Sequence, residues 1–386
     1  MHAAGDQAAD ASVWKGRAAA LLDAVTAARG FDRRRGLFGV RRVRPGRAYA
    51  HLWPFACAWS AMETASDLGG ATGSSAAEVA GLLLSGLAAY APANGTHRAN
   101  GTHGTQDTHD TVGTHGAADG RVGGEPVGFQ SSVAPPLGRG GDVYYDDNAW
   151  VALALLEHHR RRHDQGSLSL ARRVVAFCCT GWHPDPGWSV PGGIRWKVRA
   201  ASRSRNTCAN GPVAEAAALV HARTGDPDAL AWAVRIYGWV RAALLGPDGL
   251  YLDRIMPDGT RAPERWTYNQ GTMIGAGVLL AEATGERRYL EDACATADAS
   301  LASYDVATLL RNGPAFNAIF FRNLFLLDRQ VPDSRIGALA AAYADAVWDG
   351  VLGRRAVRAT GRLGTLNATA PLVEVYALLA GATPHP

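Results

Sequence analysis

The spacing of apolar residues predicts an all-α fold built from helix pairs, and two observations support this prediction. Apolar residues return at every third or fourth position along most of the 386-residue chain. The helical segments also follow one another in pairs, separated by short polar turns. Because 47% of the residues are hydrophobic, the chain can bury a sizeable core. We therefore expect a single domain over residues 1–386.

The clearest pairs lie in the second half of the chain. Residues 210–223 and 227–244 flank the turn Thr224-Gly225-Asp226, and residues 268–283 and 287–300 flank Thr284-Gly285-Glu286. In each turn, Gly supplies the left-handed residue that ends the first helix. The acidic residue then begins the second helix, where the helix dipole favours a negative charge. Each pair is therefore predicted to form a tight helical hairpin.

The same alternation extends over the rest of the chain and gives six pairs. A helix near residues 14–29 and one near 367–380 complete the set, and the remaining pairs are 50–68 with 75–90, 148–162 with 167–179, and 315–327 with 333–348. Periodicity alone leaves open whether such pairs stack into a solenoid or close into a ring. The first helix of most pairs is poor in charge, whereas the second carries Arg and Asp. This asymmetry favours an inner and an outer layer, as in an (α/α)6 barrel.

Residues 92–136 interrupt the helical pattern with Gly, Thr, Asn, Asp and His and with almost nothing to bury. Such a composition predicts a disordered insertion. His97, His103, His109 and His115 recur every six residues, which raises the question of metal binding. We favour a solvated repeat without a metal, because no rigid element fixes a ligand geometry.

Composition argues against several classes of partner. The net charge of +4 is small for this length and predicts no nucleic-acid partner. The one basic stretch runs from Arg33 to Arg47 and is interpreted as a solvated loop, although attraction to an anionic lipid or a phosphorylated glycan is an alternative. No apolar run approaches the roughly 20 residues that span a bilayer, so we expect no membrane span.

The start of the chain and the cysteines bear on location. Residues 1–13 lack a basic segment followed by an apolar block, so the sequence as written predicts a cytoplasmic protein, whereas an upstream start would make it secreted. The five cysteines are odd in number and scattered, and are predicted to be buried thiols; they are Cys57, Cys178, Cys179, Cys208 and Cys294. We expect a monomer without metal or cofactor.

The segment from Val143 to Trp150 is the most informative in the chain, because Asp146 and Asp147 stand between aromatic residues just before an apolar helix. An N-cap role explains one aspartate at a helix start, but not two. Where a loop meets a helix, both side chains can face one cavity. Two adjacent carboxyl groups then divide into a protonated acid and an ionised partner, which is the arrangement a retaining glycosidase needs.

Further polar and aromatic residues fall at the starts of predicted inner helices, which share one rim in a closed ring. Amide groups suit sugar hydroxyls, and aromatic rings suit the C–H face of a pyranose. The alternative is that some of these residues cap helices, tie loops together or belong to the core. As candidate substrate-binding residues we name Tyr145, Asn148, Trp196, Asn206, Asn210, Tyr268, Asn269 and Gln270.

The segment Tyr144-Tyr145-Asp146-Asp147-Asn148-Ala149-Trp150 resembles the active-site segment of glycoside hydrolase family 76. The likeness continues, in the family's order, through Gly192-Gly193-Ile194, residues 206–210, Asp248-Gly249-Leu250 and Tyr268-Asn269-Gln270-Gly271-Thr272. It covers about residues 140–330, and more loosely the flanking helices. The insertion at 92–136 and the missing secretion signal depart from the family's pattern.

The resemblance implies an (α/α)6 barrel and endo-acting, retaining hydrolysis of α-1,6-linked mannan without a metal. Asp146 corresponds to the nucleophile and Asp147 to the general acid/base. The main alternative is a non-catalytic glycan-binding or scaffold protein on the same barrel. A prenyl-diphosphate enzyme is disfavoured, because no second acidic cluster accompanies the aspartate pair.

Overall fold

The computed structural model describes residues 2–27, 30–40, 48–92, 125–199, 203–352 and 366–381. Within these ranges the chain forms thirteen α-helices, which are α1 His2–Thr26, α2 Leu52–Ala65, α3 Gly70–Gly86, α4 Tyr145–Arg162, α5 Gln165–Cys179, α6 Thr207–Thr224, α7 Pro227–Leu244, α8 Thr267–Thr284, α9 Arg287–Ser303, α10 Val306–Asn312, α11 Pro314–Asp328, α12 Ser334–Val347 and α13 Leu366–Leu379. The same ranges hold six short strands, which are β1 Phe31–Asp32, β2 Leu37–Val40, β3 Ala48–Tyr49, β4 Arg205–Asn206, β5 Arg254–Ile255 and β6 Arg261–Ala262.

Six of the helices form a closed inner ring. Helices α2, α4, α6, α8, α11 and α13 each pack against the next, and α13 packs against α2. The outer helices α3, α5, α7, α9 and α12 each pack on the inner helix that precedes them, and α1 packs on α13. The predicted (α/α)6 barrel is therefore confirmed, including the pairing of the first helix with the last. An open solenoid is excluded, because the ring closes.

The two layers differ in burial as their composition predicts. Helix α6 is buried continuously over residues 207–220, whereas α7 buries one face. Small residues let the inner helices approach closely. A Cβ atom on Gly271 of α8 would come within 2.8 Å of the Phe320 backbone on α11, so a larger residue at this position would push the two helices apart.

The predicted hairpin turns are present. Gly225 and Gly285 end α6 and α8 in the left-handed conformation, with φ of 70° and 72°. Asp226 is the N-cap of α7, and its side chain accepts hydrogen bonds from the backbone N–H groups of Asp228 and Ala229. The sequence did not predict α10 or the strands, all of which are short.

The basic stretch that was predicted to be a loop is partly a small sheet. Strands β1, β2 and β3 form an antiparallel sheet between α1 and α2. Arg33 lies in the turn after β1 and pairs with Glu78 of α3, and Arg35 pairs with Asp32 at 3.1 Å. Arg34 is exposed in the same turn, and the four arginines within residues 41–47 lie outside the described residues.

The predicted disorder of residues 92–136 is wrong for its last part. From residue 125 the chain is described, and Phe129 and Val133 are buried in the core. The backbone N–H of Gln130 donates to Tyr90 O at 2.9 Å. These two apolar side chains provide the anchor that the polar repeat lacks. The four histidines of the repeat lie outside the described residues.

A buried ion cluster joins α2 and α4 near their C-terminal ends. Glu63 has no exposed surface and accepts hydrogen bonds from Trp59 Nε1 at 2.9 Å and His158 Nδ1 at 2.7 Å. Arg162 Nη1 also lies 2.5 Å from Glu63 Oε2. These partners together lower the pKa of Glu63 despite its burial.

In the described part of the chain, no helix is long and apolar enough to cross a bilayer.

Candidate active site

The first turns of the inner helices form a cleft of about 430 Å³ at one end of the barrel. Because these helices run in the same direction around the ring, equivalent positions near their starts point to the same axis. The second residue of α2, α4, α6 and α8 lines the cleft, as does the third residue of α4 and of α11. In chain order these residues are Trp53, Asp146, Asp147, Cys208, Tyr268 and Phe316.

Asp146 and Asp147 lie in the first turn of α4, and neither is the helix cap. The N-cap is Tyr144, whose backbone is extended and whose side chain makes no capping bond. Asp146 Oδ1 instead accepts a hydrogen bond from the backbone N–H of Asp147 at 3.0 Å. The suggestion that an N-cap role explains one aspartate is therefore wrong, and both carboxyl groups face the same cleft.

The Asp146 carboxylate is held by two side chains from other parts of the chain. Trp196 Nε1 donates to Asp146 Oδ2 at 2.9 Å, and Cys208 Sγ lies 3.6 Å from the same oxygen. Burial raises the pKa of Asp146 to about 6, and the hydrogen bonds oppose this rise. Asp146 is therefore ionised at neutral pH. Its negative charge is stabilised in the cleft by these hydrogen-bond donors.

Asp147 has a different environment. Burial raises the pKa of Asp147 well above its ordinary value, and the negative charge of Asp146 raises it further. The two carboxyl groups therefore differ in proton affinity: Asp147 holds a proton more tightly, and Asp146, with a pKa of about 6, is the one that ionises first. This is the difference that separates a nucleophile from a general acid.

One wall of the cleft is aromatic. The rings of Tyr268 and Phe316 are stacked with centroids 4.0 Å apart, and Trp53 packs on Phe316 with centroids 5.7 Å apart. Trp150 of α4 continues this wall toward the aspartates, with its ring 6.5 Å from Tyr268. Such a surface offers flat apolar faces to the C–H side of a sugar ring.

A second part of the lining is polar and comes from strands β4 and β5 and the residues next to them. Asn206 of β4 pairs with Arg254 of β5, which brings their side chains to the cleft together with Ser204 and Asp253. Asp253 pairs with Arg254 Nη1 at 2.7 Å, and burial raises the pKa of Asp253. Hydroxyl, amide and carboxylate groups on this part of the lining are suited to sugar hydroxyls.

Of the eight candidate substrate-binding residues, three line the cleft. Trp196, Asn206 and Tyr268 are in its walls. Trp196 also bonds directly to Asp146, and its backbone oxygen accepts from the N–H of Tyr145 at 3.0 Å, which ties this segment to the start of α4. The indole is thereby held against the carboxylate.

Asn148, Asn210 and Gln270 do not face the cleft, which corrects the expectation that they bind substrate. Each is the fourth residue of its helix and has no exposed surface. The second and fourth positions of a helix are about 200° apart, so a side chain at one points away from the other. Each amide oxygen accepts a backbone N–H from a loop residue, while the amide nitrogen donates to that residue's C=O and to the C=O four positions earlier. The clamped loop residues are Phe129, Ile194 and Tyr251, respectively.

Tyr145 and Asn269 are also buried, which corrects their assignment to substrate contact. The ring of Tyr145 stacks on Phe177 with centroids 5.4 Å apart, and 2% of the residue is exposed. Asn269 has no exposed surface and interacts with Asp253, where it opposes the rise in pKa that burial causes. Neither residue lines the cleft.

Sequence reasoning missed part of the cleft. Cys208, Asp253, Arg254 and Phe316 were not among the candidates, although all line it. The sequence could have indicated Cys208 and Phe316, because each lies at the start of an inner helix in the same position as a recognised residue.

Among the described residues, no group of three or more His, Cys, Asp or Glu side chains is placed to hold a metal ion.

A closed ring of six inner helices, with two unlike carboxyl groups in an aromatic-walled cleft, defines a carbohydrate-active (α/α)6-barrel protein. The sequence profile of Glycosyl hydrolase family 76 matches residues 130–363. The chain belongs to this family, and the resemblance seen in the sequence is confirmed.

Several curated relatives carry the name of a mannan endo-1,6-alpha-mannosidase. A mannan endo-1,6-alpha-mannosidase, DCW1, of Candida glabrata is 26% identical over 228 residues, which is 52% of this chain and 50% of that protein. The protein of the same name from Saccharomyces cerevisiae is 26% identical over 39% of this chain and 36% of its own length. The chain thus spans about half, or less, of the length of these relatives.

Solved structures share the fold. The family 76 mannosidase Bt3792 of Bacteroides thetaiotaomicron superposes with a TM-score of 0.74 at 19% identity, covering 95% of this chain and 98% of that one. An α-1,6-mannanase from Salegentibacter superposes with a TM-score of 0.69 at 22% identity, covering 95% and 99%. A variant of that mannanase with two consecutive aspartates replaced by alanine is described as inactive and in complex with α-1,6-mannotetrose.

Proposed function

We propose that the chain is a retaining, endo-acting glycoside hydrolase that cleaves α-1,6-linked mannan or a related α-mannoside. The observation that carries this proposal is the pair of adjacent carboxyl groups, Asp146 and Asp147, that face one cleft and differ in proton affinity. The names of the relatives and the inactive double-aspartate variant of the Salegentibacter mannanase support mannan as the substrate class.

In the proposed first step, an oxygen of Asp146 bonds to the anomeric carbon while the bond to the leaving oxygen breaks. Asp147 donates its proton to that oxygen, so that the leaving sugar departs as an alcohol and the remaining sugar forms an ester with Asp146. The ester removes the negative charge of Asp146, which is one cause of the raised pKa of Asp147. The pKa of Asp147 therefore falls at this stage.

In the second step, Asp147 acts as a base. It takes a proton from a water molecule, and the water oxygen bonds to the anomeric carbon as the bond to Asp146 breaks. Two displacements on opposite faces return the anomeric carbon to its starting configuration. When Asp146 regains its charge, the pKa of Asp147 rises again and its proton is retained for the next cycle.

The walls of the cleft serve binding in this proposal. The stacked rings of Tyr268 and Phe316 face the apolar side of the sugar, and Asn206, Asp253 and Arg254 face its hydroxyl groups. A volume of about 430 Å³ lies within the range of ordinary ligand pockets.

The direct test is incubation with α-1,6-mannan, followed by sizing of the products and by proton NMR of the first anomer released. We expect oligosaccharides of intermediate length in the α configuration. Asp146→Asn and Asp147→Asn should each abolish turnover while keeping the fold, and Asp228→Asn on the outer face of α7 is the matched control. A wild type that binds mannotetrose without cleaving mannan would refute the proposal and indicate the glycan-binding alternative.

The roles of the two aspartates are separable with an activated aryl α-mannoside, whose leaving group needs no acid. Asp147→Ala should form the ester and should be rescued by azide, giving the α-mannosyl azide. Asp146→Ala should yield only the β-azide, because azide then replaces the missing nucleophile on the same face. The reverse pattern would exchange the two roles.

A further inference from the structure

We propose that Cys208 is a positioning residue for the nucleophile, and that its thiol and the Trp196 indole together hold Oδ2 of Asp146. The inference rests on the proposed hydrolase function and deepens it. The starting observation is that Oδ2 has two side-chain donors, Trp196 Nε1 at 2.9 Å and Cys208 Sγ at 3.6 Å, whereas Oδ1 has the backbone N–H of Asp147.

The position of the thiol is fixed by the start of α6. The N–H of Thr207 donates to Asp253 O at 2.8 Å, and Thr207 Oγ1 donates to Leu252 O at 2.5 Å. Two residues after Cys208, the amide of Asn210 clamps Ile194. The backbone on both sides of Cys208 is therefore tied down, and the side chain, 5% exposed, is directed to the cleft.

The sulfur remains protonated and is therefore a donor. Burial and the charges of Asp146 and Asp253 raise the pKa of Cys208 well above its ordinary value. The hydroxyl of Tyr268 on α8 also interacts with Cys208, and this interaction opposes the rise in the pKa of the thiol. The titratable groups that interact with Asp146 from the surrounding elements are Asp147 on α4, Cys178 on α5, Cys208 on α6 and Tyr268 on α8.

The two donors give the two oxygens of Asp146 different tasks. In a glycosyl ester one carboxylate oxygen bonds to the sugar and the other becomes the carbonyl oxygen. Oδ2, with two side-chain donors, is suited to be the carbonyl oxygen, and Oδ1, which accepts the backbone N–H of Asp147, is the oxygen that attacks. A thiol is a weaker donor than a hydroxyl, so Cys208 orients the carboxylate while withdrawing less of its basicity than Ser would.

The test compares Cys208→Ser and Cys208→Ala with the wild type, and uses Cys294→Ser on α9 as the matched control. Each variant is made in an Asp147→Asn background, and the titration of Asp146 is followed by carbon-13 NMR of its carboxyl group. Ser, the stronger donor, should lower the pKa of Asp146, and Ala should raise it, each by about half a unit to one unit. The control should leave it unchanged.

The same substitutions are then assayed with Asp147 intact. The acidic limb of kcat/KM against pH should move in the same order, and Cys208→Ala should lower kcat about tenfold with little change in KM. Equal Asp146 titrations in all three proteins, each shown by its melting curve to be folded, would overturn the inference. If the NMR order holds while no protein cleaves mannan, the donor role of Cys208 stands and the proposed hydrolase function fails instead.

Discussion

Replacing Asp146 with Asn should make the folded protein more stable at neutral pH, although it removes the proposed nucleophile. In the folded chain the pKa of Asp146 rises from 3.8 to about 6 because the carboxylate is buried. At about 1.4 kcal/mol for each pKa unit, ionising this group costs the folded state about 3 kcal/mol. Asn carries no charge and avoids that cost.

The expected change in melting temperature follows from this free energy. An unfolding entropy of about 2 cal/mol/K per residue gives about 0.8 kcal/mol/K for a chain of 386 residues. A gain of about 3 kcal/mol then corresponds to about 4 °C. The bonds from Trp196 and Cys208 prefer a carboxylate to an amide, so about 2 to 4 °C is expected.

The stability difference between Asp146→Asn and the wild type should depend on pH, and its direction follows from the pKa of Asp146 in the folded and unfolded states. The folded pKa lies above the unfolded one, so the folded state binds the proton more tightly and wild-type stability falls as the pH rises from about 4 to about 6. The advantage of Asp146→Asn should therefore be near zero at pH 4 and grow through this window.

Differential scanning calorimetry from pH 3.5 to 8 measures the effect, with Asp164→Ala as a control of opposite sign. Asp164 caps α5, and the hydroxyl and backbone N–H of Ser167 donate to its carboxylate and lower its pKa, so its replacement by Ala should destabilise the protein at neutral pH by about 1 kcal/mol. A melting temperature of Asp146→Asn that is equal to or below that of the wild type at pH 7.5 would refute the burial argument for the cleft.

Three further predictions follow from the same contacts. On mannan, kcat/KM should rise with pH around 6 as Asp146 ionises and fall at higher pH as Asp147 loses its proton, and a wild-type profile that is flat from pH 5 to 8 would contradict this. On an activated aryl α-mannoside, whose leaving group needs no acid, the kcat/KM profile of Asp147→Asn should lack the falling limb. Glu63→Gln should lower the free energy of unfolding by about 3 kcal/mol at neutral pH in chemical denaturation, because it leaves Arg162 and His158 without their buried carboxylate partner. Since the pKa of Glu63 is lowered in the folded state, this loss should vanish as the pH falls through that pKa, and a difference that does not change with pH would contradict the ion cluster. Gln270→Ala should lower the free energy of unfolding by about 2 to 3 kcal/mol in the same assay, because the N–H and C=O of Tyr251 lose their hydrogen-bond partner. Replacing the exposed Gln330 with Ala should change it by less than about 0.5 kcal/mol, and equal effects of the two substitutions would show that the Gln270 clamp is not stabilising.

The barrel was predictable because its signals are local. The apolar spacing and the glycines at 225 and 285 each depend on a few neighbouring residues, and the observed α7 has the bounds that its caps predicted. The strands were not predictable, since β4 and β5 are two residues long and pair residues about 50 positions apart. Asp253 and Arg254 reach the cleft through this pairing, so no nearby pattern pointed to them.

The site was predicted in part, and the errors have one cause. Treating the loops before the inner helices as one rim correctly brought Asp146, Asp147 and Tyr268 together. It also treated Asn148 and Gln270 as cleft residues, because sequence proximity was taken as proximity in space. A helix turns by about 100° per residue, so residues two positions apart are on opposite faces.

This helical phase separates chemistry from stability in the barrel. The second position of α4, α6 and α8 supplies Asp146, Cys208 and Tyr268 to the cleft, while the fourth position of each supplies an amide that clamps a loop from the other side. The fourth residue of α11, Asn317, follows the same rule by donating to Leu309 O and accepting from Thr267 Oγ1. A change at a second position alters groups that face solvent in the cleft, whereas a change at a fourth position leaves buried peptide groups without partners. The unfavourable burial of two carboxyl groups is therefore tolerated, because the start of α4, which carries both, is fixed by the hydrogen bonds of Asn148, and these bonds take no part in the proposed reaction.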